Sequence, residues 1–155
     1  MNCEIVVYGS EDRQGRALLV VSALHHCGRW LAEKGVCVRF VAASRCVRVA
    51  AEILRFQTGL KVRADEVRPD EAPDDVFGSA GLYVAVMFSR LGALALREAR
   101  ARNVPSLVAV QFPDAKQLNV SVLENLRAAF DPVDLSNRLC EEVLRIEARR
   151  DKGRA

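Results

Sequence analysis

The chain has 155 residues, of which 50% are hydrophobic and 28% charged, and its formal net charge at pH 7 is +3. This length fits one domain that buries about 70% of the surface of its unfolded chain, and the composition is that of a globular protein. The arginines are scattered and are not interleaved with aromatic residues, which argues against a nucleic-acid partner. Membrane association is expected to be peripheral at most.

The five cysteines are widely spaced and include no CxxC pair or metal-ligand grouping. They are typical of reduced core thiols in a cytoplasmic protein. The N-terminal sequence lacks the regions of a signal peptide, and no apolar run reaches the roughly 18 residues of a membrane span. His25 and His26 have no further ligands at a suitable spacing, so the sequence predicts no metal site.

Apolar runs and turn residues predict five strands separated by helical stretches. Strands are expected at residues 4–8, 36–42, 60–67, 82–88 and 106–111. Helices are expected from residue 16 to Gly35, from Ser44 to Gly59, around Glu98, within residues 115–127, and from Asp131 onwards.

This alternation predicts an α/β fold, because right-handed crossovers between parallel strands cover a sheet with helices on both faces. We expect a single Rossmann-like, doubly wound sheet of five or six parallel strands in the order 3-2-1-4-5(-6). The domain is expected to span residues 1–150, and residues 151–155 are expected to form a basic, disordered tail.

The segment around the fourth strand carries the strongest functional signal. Its strand is apolar without alternation, as is typical of a strand that is covered on both faces. Ser89 and Arg90 follow at the carboxyl end of this strand, where open α/β sheets bind ligands beside helix N-termini. In the next helix, Leu94, Glu98 and Ala101 share one face by their spacing, which draws the carboxylate towards an apolar face.

The alternative for Glu98 is an ion pair with Arg102, which stands four residues later in the same helix and would stabilise it by roughly 0.2 to 0.5 kcal/mol.

The loop after the first strand, GSEDRQGR, places Arg13 and Arg16 at the start of the first helix. Guanidinium groups beside helical N–H groups suit a diphosphate. The loop is neither a P-loop nor a GxGxxG turn.

The stretch Glu98-Ala99, Ala101 and Val104-Pro105 resembles the LEAMAxGxP segment in the C-terminal domain of GT-B glycosyltransferases of group 1 type. The resemblance extends to a late DPEALA-like helix start, here Asp131-Pro132. It departs from the family at Arg90, where an acidic residue faces the donor sugar, and at Asn103, where the family has glycine.

The resemblance implies a nucleotide-sugar-binding domain of a hexosyltransferase, which forms one part of a larger enzyme and is not active alone. The donor is then a nucleoside diphosphate sugar, without a cofactor or metal, and the partner is an acceptor-binding domain or chain. No catalytic residue is expected in this chain. The expected ligand-binding residues are Gly9, Arg13, Arg16, Ser89, Arg90 and Glu98.

The sequence also bears on three other classes of protein. A noncatalytic interaction or regulatory domain of the same fold is the main alternative, because fold does not determine function. A receiver-like signalling domain would have an aspartate after the third strand and a lysine after the fifth, where Arg68 and Gln111 stand. A hydrolase would need a nucleophile elbow such as G-x-S-x-G, which is absent.

Overall fold

The computed structural model of the chain describes residues 3–8, 16–41, 43–65, 77–78, 80–86, 90–109, 128–129 and 131–153. Within them, six strands form one sheet: β1 (Cys3–Tyr8), β2 (Val36–Val41), β3 (Lys61–Ala64), β4 (Ala80–Val86), β5 (Ser106–Ala109) and β6 (Ala128–Ala129). All neighbouring strands are parallel, in the order β3-β2-β1-β4-β5-β6. The predicted fold class and strand order are confirmed.

Four helices accompany the described strands: α1 (Arg16–Glu33), α2 (Arg45–Thr58), α3 (Arg90–Ala101) and α4 (Pro132–Gly153). α1 packs between α2 and α4, whereas α3 packs on β4, β1 and β5. The chain leaves β1 towards β2 and leaves β4 in the opposite direction towards β5. Because both crossovers are right-handed, α1 and α3 lie on opposite faces of the sheet.

Both faces of the central strands are buried. Ile5, Phe40 and Leu82 belong to the apolar core under α1, α2 and α4. Their neighbours in sequence point the other way, and Val6 and Tyr83 are fully buried there as well. A strand with two apolar faces has no reason to alternate, which explains the continuous apolar run in β4.

Short polar residues and glycine set the ends of the helices, as the sequence predicts. Ser44 caps α2, where its Oγ accepts a hydrogen bond from the N–H of Val47 at 3.3 Å. Gly59 ends α2 in the left-handed conformation with φ of 76°. Asp131 caps α4, where its Oδ1 accepts from the N–H of Asp134 at 2.8 Å, and Pro132 is the first helical residue.

Several strand boundaries differ from the prediction. β3 ends at Ala64, and the next residue, Asp65, pairs with Arg39 through Nε and Oδ2 at 2.7 Å. α4 runs past Ala148 into the basic tail and ends at Gly153, since no glycine or proline interrupts it earlier. The helix predicted within residues 115–127 lies outside the described residues.

Candidate functional site

The order in which successive strands are added to the sheet reverses between β1 and β4, which are themselves parallel. β2 and β3 lie on one side of β1, and β4 to β6 lie on the other. α1 follows β1 on one face and α3 follows β4 on the opposite face, so both helices begin beside the carboxyl ends of these two strands. We call these strand ends, together with the first turns of α1 and α3, the switch edge.

The two helix starts at the switch edge favour a bound anion. The first turns of α1 and α3 contain no acidic residue, and their first residues are Arg16 and Arg90. A helix N-terminus has free N–H groups and carries roughly half a positive charge, which favours a bound anion. The arrangement therefore suits a ligand with a phosphate or another oxyanion.

The structure brings two of the six predicted ligand-binding residues to this edge. Arg16 begins α1 and Arg90 begins α3, and these helices follow neighbouring parallel strands. Gly9, Arg13 and Ser89 lie outside the described residues.

Glu98 is placed differently from the two arginines. It stands eight residues after the start of α3, which is roughly 12 Å along the helix axis and away from the switch edge. Its carboxylate pairs with the guanidinium of Arg102, and its side chain is 46% exposed. The prediction that Glu98 shares a buried apolar face with Ala101 is wrong, because Ala101 is exposed and Ala99 is the fully buried residue of this turn.

A cavity that the sequence did not suggest lies between α1 and α2. It has a volume of about 470 Å³ and is lined by His25, His26, Arg29, Gln57 and Thr58. The helices approach closely there: a Cβ added to Gly28 would lie 2.9 Å from the Cβ of Thr58. His25 and His26 stand four and three residues before Arg29, a spacing that places all three residues near one another on α1.

The cysteines in the described residues are free thiols with different degrees of burial. Burial raises the pKa of Cys27 from its ordinary 9.0 to about 11, partly opposed by a hydrogen bond with Ser136. Cys3 is also buried, whereas Cys46 is exposed on α2. The prediction that all five are core residues is therefore wrong for Cys46.

The described residues contain neither a metal-binding cluster nor a membrane-spanning helix. No group of three or more histidine, cysteine or acidic side chains is arranged to hold a metal ion among them. No helix in this part of the chain is long and apolar enough to span a membrane.

No protein-family model and no curated protein matches the sequence. The fold is similar to the solved structure of the molybdenum cofactor carrier protein MCP from Chlamydomonas reinhardtii, with a TM-score of 0.61 and 15% sequence identity. The match covers 93% of this chain and 99% of that chain. At this identity the likeness establishes the fold alone, a parallel α/β sheet.

The interpretation as a nucleotide-sugar-binding domain of a GT-B glycosyltransferase is wrong. The fold matches nearly the whole length of a cofactor carrier protein, which is not a glycosyltransferase. The expectation that the chain binds a sugar donor and no cofactor is also wrong, because the structurally similar protein is described as a cofactor carrier.

The residues behind this resemblance have local structural roles. Asn103 takes the left-handed conformation with φ of 57° just after α3, as the family's glycine could. Asp131 and Pro132 form an ordinary helix start. Such ends recur in doubly wound sheets of many functions, so their order carries information about fold and not about the ligand.

Proposed function

We propose that this chain is a noncatalytic binding protein for an anionic cofactor, which it holds at the switch edge. The observation that carries the proposal is the convergence of two helix N-termini from opposite faces at the point where the strand order reverses. In open α/β sheets this is the place where ligands bind.

The charge of the switch edge supports an anion as the ligand. The two helices begin with Arg16 and Arg90, and their first turns contain no acidic residue; guanidinium groups are well suited to oxyanions. The structurally similar protein is described as a molybdenum cofactor carrier. We propose that this chain binds a cofactor of that class. The free thiols fit a reducing, cytoplasmic location.

Loading experiments test this function. The purified chain is mixed with molybdenum cofactor released from a molybdoenzyme and desalted, and the retained molybdenum per protein is measured by mass spectrometry. The wild type is expected to retain it. The double variant Arg16→Gln, Arg90→Gln should lose charge-assisted hydrogen bonds of about 1.5 to 3 kcal/mol each, so its affinity should fall by a factor of at least about 100.

The matched control is the double variant Arg97→Gln, Arg149→Gln, which removes the same charge from exposed positions on α3 and α4. It should load like the wild type, and all three proteins should melt at similar temperatures. The proposal fails if the wild type retains no molybdenum, or if the control loses as much as the double variant at the switch edge.

A further inference from the structure

The solvent-facing side of α2 carries three large apolar side chains. Val49, Ile53 and Phe56 are 55%, 49% and 92% exposed. The opposite side of the same helix is already used, since Val47, Ala51 and Leu54 are buried against the sheet and α1. α2 is therefore apolar on two sides, which a helix at the surface of a monomer does not need.

The exposed apolar residues follow the spacing of a helix–helix seam. With Cys46, which is also exposed, they stand at intervals of three, four and three residues, as positions a and d of a heptad do. Single exposed apolar residues are common on protein surfaces, but a continuous stripe marks an interaction site. We call Cys46, Val49, Ile53 and Phe56 the α2 stripe.

We infer that the α2 stripe packs antiparallel against the α2 stripe of a second copy of this chain. An antiparallel arrangement places Cys46 opposite the partner's Phe56, and Val49 opposite the partner's Ile53. Small residues then face large ones, which allows the layers to interdigitate. A parallel arrangement would instead oppose two phenylalanines at one end and two cysteines at the other.

The helix dipoles favour the antiparallel arrangement, because it places the partly positive N-terminal end of each α2 beside the partly negative C-terminal end of the other. Arg45 begins α2 and Arg55 lies in its last turn, so each Arg45 would also lie near the partner's Arg55. Glu52, which flanks the stripe, is already paired with Arg55 of its own helix at 2.9 Å. This pair reduces the repulsion between the two glutamates near the twofold axis.

The available area is sufficient for a dimer of modest affinity. The exposed parts of the three side chains amount to about 350 Å²: Phe56 exposes most of the roughly 150 to 250 Å² of an aromatic side chain, and Val49 and Ile53 each expose about half of a smaller one. Two copies would bury about 700 Å² of apolar surface, or about 1,200 Å² in total if about 60% of the interface is apolar. Stable interfaces begin at about 1,200 Å².

An anionic membrane or an acidic protein could cover the α2 stripe instead of a second copy. Residues 45–65 contain five basic and two acidic side chains, a net charge of +3, which attracts such partners. Salt distinguishes these occupants. Self-association of like-charged copies should strengthen as salt screens their repulsion, whereas binding of the same face to an anionic surface should weaken.

Sedimentation equilibrium at low and high salt tests the inference, independently of the cofactor proposal. The wild type should dimerise with a Kd in the micromolar range, more tightly at high salt. Phe56→Asp and Ile53→Asp should each weaken the dimer by a factor of at least about 10. The matched controls are Val133→Asp and Leu144→Asp, which alter similarly exposed apolar residues on α4 and should leave the dimer unchanged.

Oxidative crosslinking tests the orientation. Phe56→Cys should form a disulfide with the partner's Cys46, whereas the wild type should not crosslink through Cys46 alone. A wild type that remains monomeric at high micromolar concentration would overturn the inference, as would equal weakening by the α4 controls. So would crosslinking of wild-type Cys46 to itself. Binding of monomers to phosphatidylglycerol vesicles that Phe56→Asp abolishes would assign the stripe to a membrane instead.

Discussion

At the scale of single residues, the thiol of Cys27 lies in the contact between α1 and α4 and donates to the carbonyl oxygen of Ala23 at 3.4 Å. Its burial raises its pKa to about 11, so the folded protein keeps its proton between pH 9 and 11 while the unfolded chain loses it. The folded state then binds more protons, and stability must fall as pH rises through this window.

Over the full window the loss should be about 1 to 3 kcal/mol of unfolding free energy, at about 1.4 kcal/mol per pH unit. Urea denaturation of the wild type and Cys27→Ala at pH 7 and pH 10 measures it, with Cys46→Ala as the control for loss of an exposed thiol. The unfolding free energy of Cys27→Ala should fall less between pH 7 and pH 10 than that of the wild type. An unchanged dependence would show that another group controls alkaline stability.

At the scale of elements, Gly59 ends α2 with φ of 76°, and among the described residues beyond its two chain neighbours no atom lies within 4 Å of where its Cβ would be. Gly59→Ala should therefore cost only the left-handed backbone strain, about 1 to 2 kcal/mol of unfolding free energy. Gly153→Ala is the matched control, since its added Cβ also meets nothing and its backbone is helical. Chemical denaturation should show a loss at position 59 and none at 153.

Helix ends were predictable from the sequence because local chemistry decides them. Ser44, Gly59 and Asp131 act through hydrogen bonds or backbone conformations that involve only a few neighbouring residues. The spacing of Glu98 and Arg102 predicted their ion pair as one alternative, but it could not decide which face of the helix is buried, because several rotations of a short helix give similar periodicity and packing on the sheet selects one. That packing buries Ala99 and leaves Glu98 to pair with Arg102.

At the scale of the whole molecule, the strand order followed from the alternation of strands and helices, since right-handed crossovers leave few arrangements. The same order places the starts of α1 and α3, at Arg16 and Arg90, at one edge, whereas Glu98 lies away from it. The ligand-binding role of the two arginines stays a prediction. The identity of the ligand did not follow, because doubly wound sheets serve many functions at this edge. The exposed stripe on α2 was also missed, since periodicity does not reveal which of two apolar sides faces solvent.

The location of the anion site is the central claim, and amide chemical shifts of the isotope-labelled chain titrated with pyrophosphate test it most directly. The predicted result is a set of shifts confined to the first turns of α1 and α3 and the adjoining ends of β1 and β4. These shifts should be lost in Arg16→Gln, Arg90→Gln. Shifts centred on His25, His26 and Arg29, or no shifts at millimolar pyrophosphate, would contradict the claim.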